Sequence, residues 1–314
     1  MTPFLHANAL TKSFRLKGGG LLRAVRGVSF TQQRGETLGV VGESGSGKST
    51  LGRMLLHLTP PDAGAVTVDG AVLGQLSAAA LRRKRRMMQM VFQDPLASLD
   101  PRMRVGDLIA EPLVIHRLGD RAERDRRVGD LLAMVGLPEE ARRRFPHEFS
   151  GGQRQRIAIA RALAPGPALI VADEPVSALD VSIQAQILNL LLEVRQRLAL
   201  TYVFISHDLA VVRHVSDRVA VMYLGEIVEH ADADAFFAGP AHPYARMLLA
   251  SVLEPGEARR PPEAVRGEPP NPESPPTGCA FHPRCPHVMA RCRAEAPPEI
   301  ALGSAHMARC WLHI

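Results

Sequence analysis

Nine consecutive residues hold the densest chemistry in the chain: Gly42-Glu43-Ser44-Gly45-Ser46-Gly47-Lys48-Ser49-Thr50. They fit the pattern G-x-x-x-x-G-K-[ST], whose spacing has a physical reason. Gly42, Gly45 and Gly47 free the backbone to curl, so that successive N–H groups point at phosphate oxygens. Lys48 adds a mobile positive charge for β- and γ-phosphates, and the Ser49 hydroxyl can ligate Mg²⁺.

A second group of candidates lies downstream. Leu169-Ile170-Val171-Ala172 is a fully apolar run that delivers Asp173 and Glu174. Two adjacent carboxylates at the end of a buried strand cost desolvation energy unless a cation meets them. With Mg²⁺ at Ser49, Asp173 would support the metal and Glu174 would face an attacking water as general base. Tyr202-Val203-Phe204-Ile205 ends in Ser206-His207-Asp208 in the same way. A histidine just past a buried strand can donate a hydrogen bond to a γ-phosphate, although a lone histidine there is more often structural. Phe149-Ser150-Gly151-Gly152-Gln153 opens another helix. Ser150 is a good N-cap, and the glycines expose helix-terminal N–H groups, so this is either a plain helix start or a second phosphate seat.

The elements that must hold these residues alternate between strand and helix. Thr37-Leu38-Gly39-Val40-Val41 reads as a buried strand into the glycine loop, and Leu51, Met54, Leu55 and Leu58 recur on one helical face after it. Strand, loop and helix are the setting a phosphate site requires, and they disfavour a chance glycine-rich turn. Residues 1–35 read as short strands and turns, with a flexible turn at Lys17-Gly18-Gly19-Gly20; Phe14 is either a core residue or a platform for a stacked adenine. Met90-Val91-Phe92 is a strand ending at Gln93, followed by a proline-broken stretch and a helical region to about residue 145. Ile183, Ile187, Leu190, Leu191, Val194 and Leu198 form one helix face. After residue 235, Pro240, Pro243, Pro255, Pro261 and Pro262 break the chain, and Pro269 to Pro276 reads as a spacer.

Composition bounds the function. The 314 residues, 46% hydrophobic, suffice for a large core plus a smaller unit. The net charge of +6 could suit nucleic acid or an anionic membrane, but the one dense run, Arg82-Arg83-Lys84-Arg85-Arg86, reads better as a solvated helix face. No run approaches the roughly 18 apolar residues of a membrane span, and no secretory signal precedes the fold, so a cytoplasmic protein is expected, its membrane role supplied by partners.

Taken together these residues resemble the nucleotide-binding subunits of ATP-binding-cassette (ABC) transporters. The resemblance implies an α/β phosphate-loop NTPase core over residues 1–235, with a helical subdomain at about 94–160 and an extension over 236–314. It implies that ATP is bound by Gly42 to Thr50, Phe14 and the signature Ser150-Gly151-Gly152-Gln153; Phe149 stands where leucine is commoner. It makes Gln93 a sensor of Mg²⁺ and water, Asp173 a Mg²⁺ carboxylate with Ser49, Glu174 the catalytic base, His207 the switch histidine, and Ser177 to Asp180 a dimer-contact loop. Two subunits would pair head to tail, each ATP lying between one phosphate loop and the other signature helix, with the helical region docking membrane subunits.

The subfamily is suggested by His242-Pro243-Tyr244-Ala245 and Gly278-Cys279-Ala280-Phe281-His282-Pro283-Arg284-Cys285-Pro286, which look like the oligopeptide and dipeptide importer ATPases, a group that includes nickel importers. Val91 to Pro95 and Ser49 to Arg53 look closer to the second, F-type, of the two ATPases such systems usually encode. The expected assembly is a second cassette, two membrane permease subunits and an extracytoplasmic solute-binding protein, at the cytoplasmic face of the membrane. A nickel or other small-solute importer is the alternative, and a soluble cassette acting on nucleic acid or ribosomes is disfavoured by the single cassette. The resemblance extends to Cys279, Cys285, Cys292 and Cys310, separated by 5, 6 and 17 residues. Some members of the family hold a [4Fe–4S] cluster in this tail, and a staple would suit so short a segment. Zinc, with His282, His287 and His306 in reach, and free thiols stay open.

Overall fold

The computed structural model describes residues 2–16, 18–251, 268, 270–303 and 305–314. Lys17, Pro255, Pro261, Pro262 and Pro269, read above as turn and spacer, lie outside the described residues. The first elements are β1 (Leu5–Arg15), β2 (Leu21–Gln32), β3 (Thr37–Val41), α1 (Lys48–Leu55), β4 (Ala63–Val68), β5 (Ala71–Val72), α2 (Ala78–Arg85) and β6 (Met88–Val91). Then come α3 (Pro95–Ser98), α4 (Val105–Ile115), α5 (Arg121–Met134), α6 (Gly151–Leu163), β7 (Leu169–Asp173), α7 (Val181–Leu198) and β8 (Thr201–Ser206). The chain continues through α8 (Leu209–Val215), β9 (Arg218–Tyr223), β10 (Glu226–Asp232), α9 (Ala233–Ala238), α10 (Pro243–Ala250), α11 (Ala290–Ala294), β11 (Ile300–Ala301) and β12 (Met307–Ala308). No helix among the described residues is long and apolar enough to cross a membrane.

The chain forms two compact units. The first comprises residues up to Gln32, Thr37–Gly74 and Ser206–Ile314. It holds an antiparallel sheet ordered β2-β1-β4-β5, and the strands β11-β12-β10-β9-β3 in a second sheet. Strand β3 runs parallel to β9, with Val41 opposite Val221. All five residues of β3 are buried, as expected of a parallel strand covered on both faces. Where short strands were expected at the N-terminus, β1 and β2 are long and paired from Leu5 with Gln32 to Arg15 with Leu21, with breaks in register between. Register shifts between Ala7 and Leu10 and beside Lys12, with Ala9 at φ 48°, interrupt the alternation that would have signalled continuous strands.

Helix α1 buries Leu51, Met54 and Leu55. Leu58, expected on the same face, lies past the helix end and is exposed. The stop is local: His57 takes φ 53°, and the Leu58 N–H turns back to the Arg53 carbonyl.

The second unit comprises Gln33–Glu36 and Gln75–Ile205. Its parallel strands run β6-β7-β8, with Val91 opposite Ala172 and Asp173 opposite Ile205. Every residue of β7 and β8 is buried. Helix α7 buries Ile187, Leu190, Leu191 and Val194, the middle of the expected stripe. The helical region expected up to about 145 resolves into α3, α4 and α5 and two 3₁₀ turns, with α5 opened by a capping box between Asp120 and Glu123.

The described residues after 235 do not stand apart from the first unit. Phe236, Tyr244, Ala280 and Phe281 share one buried cluster with Val41, Val221 and Tyr223, and Cys279 and Cys285 pack against it. The cysteine-bearing segment, through Ala280 and Phe281, is therefore part of the core beside β3. Glu229 fixes it in place: its buried carboxylate accepts from the Ala241 and His242 N–H groups at 2.8 and 2.6 Å, and its Oε1 lies 2.8 Å from His306 Nε2.

Two histidines of this unit are held neutral. Burial, with His313 and Arg246 adding, lowers His242 to about 3, and its Nδ1 accepts from the Tyr244 N–H. Burial and Arg218 lower His230 to about 4. As pH falls below about 6.5 the unfolded chain takes up protons that the folded chain refuses, so stability present above that pH is lost on acidification. Each histidine contributes a slope of up to about 1.4 kcal/mol per pH unit. Denaturant unfolding between about pH 7 and pH 5 should show stability falling with pH, and His242→Asn, which retains a capping acceptor, should flatten that dependence.

Candidate functional site

The glycine loop of the first unit joins β3 to α1. Gly42 (φ 154°) and Gly47 (φ 103°) sit in backbone conformations closed to other residues, and a Cβ on either would stand 2.1 Å from the carbonyl of Met222 or Ala24. The curl buries Lys48, whose Nζ donates to the carbonyls of Gly42 and Glu43 at 2.7 and 2.9 Å. The Ser46 N–H donates to the Glu43 carbonyl, and its own carbonyl accepts from Gly225. The Ser46 hydroxyl is buried with no hydrogen-bond partner among the described residues. An orphaned hydroxyl and a buried ammonium in one loop fit an incoming anion.

Glu43 behaves differently from the rest of the loop. Its N–H donates to the Tyr244 hydroxyl at 2.8 Å, and its carboxylate takes two bonds from Arg284 at 2.8 and 2.9 Å. Neither partner was singled out from the sequence as touching the loop. The only signal was that His242-Pro243-Tyr244 and Pro283-Arg284-Cys285 sit in segments that mark the subfamily.

In the second unit, strand β7 delivers Asp173, 3% exposed, and then Glu174. Glu174 takes φ 46°, a left-handed conformation costing about 1 kcal/mol for a side-chain-bearing residue. Its N–H donates to the Ile205 carbonyl at 2.9 Å, and its carbonyl accepts from the Ser177 hydroxyl at 3.1 Å. The bend turns its carboxylate to Gln93, whose Nε2 donates to Oε2 at 3.1 Å. Thus Gln93, Glu174 and the Ser177 loop form one hydrogen-bonded group. The oxygen donors Ser49 and Asp173 suit a hard cation such as Mg²⁺ in type.

Ser150 caps α6: its hydroxyl accepts from Gln153 N–H at 3.3 Å, and Gln153 Oε1 accepts from Ser150 N–H at 3.0 Å. Gly151 is exposed and Gly152 buried. A Cβ on Gly152 would come within 2.4 Å of Ile183 Cγ2. That glycine therefore serves the close approach of α6 to α7, a role not read from the sequence.

In the first unit, His207 is exposed just past β8. Asp208 beyond it caps α8, accepting from Ala210 N–H at 2.8 Å. Phe14 is 38% exposed, which removes the core reading, and Lys12 Nζ lies 5.7 Å from its ring centre.

None of the four cysteines takes part in a disulfide. Burial pushes the Cys279 thiol up to about 12, with its neighbours Cys292, Cys310 and Cys285 adding to the rise. Burial also raises Cys310. Among the described residues no group of three or more His, Cys, Asp or Glu side chains is placed to hold a metal ion. The expected [4Fe–4S] cluster and its zinc alternative therefore find no support in this arrangement.

A curled glycine loop between strand and helix, and a carboxylate pair ending a buried parallel strand, define the phosphate-loop ATPases of the cassette type. The pattern described as ABC transporter matches residues 25–177, and that described as oligopeptide/dipeptide transporter, C-terminal region, matches residues 228–292. The probable peptide ABC transporter ATP-binding protein y4tS of Sinorhizobium fredii is 51% identical over 98% of this chain and 89% of its own length. The oligopeptide transport ATP-binding protein AppF of Bacillus subtilis is 47% identical over 98% of this chain and 97% of its own. Among solved structures, the ATP-binding cassette MJ0796 in a dimeric post-hydrolysis state with ADP and Pi has a TM-score of 0.67 and 31% identity, covering 73% of this chain and 98% of that one. The chain belongs to the ABC transporter ATPases, in the branch of the oligopeptide and dipeptide import ATP-binding proteins.

The α6–α7 contact is directly testable. Gly152→Ala should cost about 1–3 kcal/mol in denaturant unfolding through overlap with Ile183, and the added Ile183→Ala should recover part of that loss.

Proposed function

We propose that this chain binds Mg²⁺-ATP and hydrolyses it to drive uptake of peptides through a membrane importer. The observation that carries the reading is the contact of Gln93 with Glu174 at the bend after β7. It holds a carboxylate at a fixed angle, beside an amide able to orient a water, in a chain whose phosphate loop keeps Lys48 buried against two carbonyls. Coverage of the peptide-import relatives by 98% of this chain supports the cargo class.

In this reading Lys48 and the loop N–H groups take the β- and γ-phosphates, and the N-terminus of α1 adds its own attraction for anions. Ser49 and Asp173, with Gln93, would hold Mg²⁺, which draws negative charge from the phosphate oxygens. Glu174 accepts a proton from the attacking water, whose oxygen bonds to the γ-phosphorus as the bond to the ADP oxygen breaks. His207 donates a hydrogen bond to the γ-phosphate, and Phe14 stacks on the adenine. Ser150 to Gln153 contact the ATP of a partner cassette. That partner is a second, non-identical ATPase, and the pair serves two permease subunits fed by an extracytoplasmic solute-binding protein. The chain then sits as a peripheral subunit at the cytoplasmic face of the membrane.

Glu174→Gln keeps the size of the side chain and removes the base. ATP hydrolysis should fall by about 10²–10⁴-fold while ATP stays bound and holds the cassette pair closed in size-exclusion chromatography. Lys48→Ala should instead abolish measurable ATP binding, because the phosphate charge is no longer met. Hydrolysis by Glu174→Gln within a few-fold of the parent would remove Glu174 from its role.

A further inference from the structure

The phosphate loop is held from outside by residues that the ATPase chemistry leaves unassigned. Arg284 is 6% exposed and gives two bonds to the Glu43 carboxylate, the fork-on-fork geometry that fixes both partners. Tyr244, fully buried, accepts the Glu43 N–H. Both are set by an aromatic cluster: Tyr223 and Tyr244 ring centres are 4.5 Å apart, Tyr223 and Phe281 5.3 Å, and Tyr244 and Phe281 5.4 Å. The Arg284 guanidinium lies 5.8 Å from the Phe281 ring and 6.0 Å from that of Tyr223. Tyr223 ends β9, the strand alongside β3 that leads into the loop. Glu43 also offers its carbonyl to Lys48 Nζ at 2.9 Å. One residue therefore links the C-terminal segment to the ammonium group that meets phosphate.

We propose that Arg284 and Tyr244 are positioning residues for the phosphate loop, acting through Glu43, and that the C-terminal segment thereby sets the affinity of this chain for ATP. The inference rests on the reading of the loop as an ATP site. Glu43 is one of the four positions that the pattern leaves open, so a chain-specific brace can attach there without displacing a residue the pattern fixes. The salt bridge anchors the side chain and the tyrosine anchors the backbone, and together they fix the loop turn on which Lys48 hangs. Loss of either loosens that turn before ATP arrives, so ordering must be supplied on binding. The cost falls on ground state and transition state alike.

The test is equilibrium binding of labelled Mg²⁺-ATP and steady-state kinetics on the full-length chain. Tyr244→Phe, which removes one oxygen, and Arg284→Met should each raise Kd and KM by about 5–20-fold with kcat within about twofold. Arg284→Lys, which keeps the charge and loses the fork, should fall between parent and Arg284→Met. Adding Glu43→Gln to Arg284→Met should weaken binding no further, since one link is already broken. Unchanged Kd in Tyr244→Phe and Arg284→Met, or fully additive losses in the double variant, overturns the proposal. If Arg284→Met does not fold, Tyr244→Phe decides alone. A parent chain that binds no ATP overturns the functional reading itself, whereas a binding parent with indifferent variants overturns the brace only.

Discussion

A buried ammonium group must be met by oxygen atoms, and in the phosphate loop the carbonyls of Gly42 and Glu43 meet Lys48. Those carbonyls can point inward only because the loop turns through conformations that the carbonyls of Met222 and Ala24 close to any Cβ. The turn needs a rigid base, which β3 supplies by being buried along its whole length and paired with β9. Much of the first unit follows from that requirement. Its core gathers Val41, Val221, Tyr223, Phe236, Tyr244 and Phe281 beside the loop. The C-terminal segment lies in that core and grips Glu43 by its N–H and its carboxylate.

The second unit solves a different problem, the aiming of a carboxylate. Four buried residues bring the chain to Asp173, itself buried, and one left-handed residue turns it at Glu174. The strain of that residue is small beside the contacts that retain it: Ile205 on its N–H, Ser177 on its carbonyl, Gln93 on its side chain. The bend carries the carboxylate out of the buried strand and onto Gln93. Ser177 couples the bend to the segment Ser177 to Asp180 and so to α7, whose first turn contacts Gly152 at Ile183. Helix α6 and the bend at Glu174 are therefore linked through one short stretch of backbone within this unit.

The glycine loop and the buried strands were readable because their patterns obey local rules. Glycine placement announced the phosphate loop, and apolar runs announced β3, β7 and β8. The same rules missed what depends on distant partners. Nothing near Glu43 announces Tyr244 or Arg284, some 200 and 240 residues away, because the pairing exists only once β9 and the tail share a core. The strands β1 and β2 were read too short because bulges hide continuous pairing. Gly152 looked like an anion binder, while its tightest constraint is a neighbouring isoleucine that only helix packing reveals. The cysteines invited a metal by number and type, and the arrangement of their side chains does not supply one.

The central claim is that ATP consumed by this chain drives peptides across a membrane. It is tested most directly in sealed vesicles carrying this chain with its partner cassette and permease subunits, supplied with the binding protein and a labelled peptide. The account predicts peptide accumulation that requires hydrolysable ATP on the side bearing this chain, together with ATP turnover that rises when the loaded binding protein is present. Accumulation that proceeds equally with a non-hydrolysable analogue, or turnover indifferent to the peptide, would contradict it.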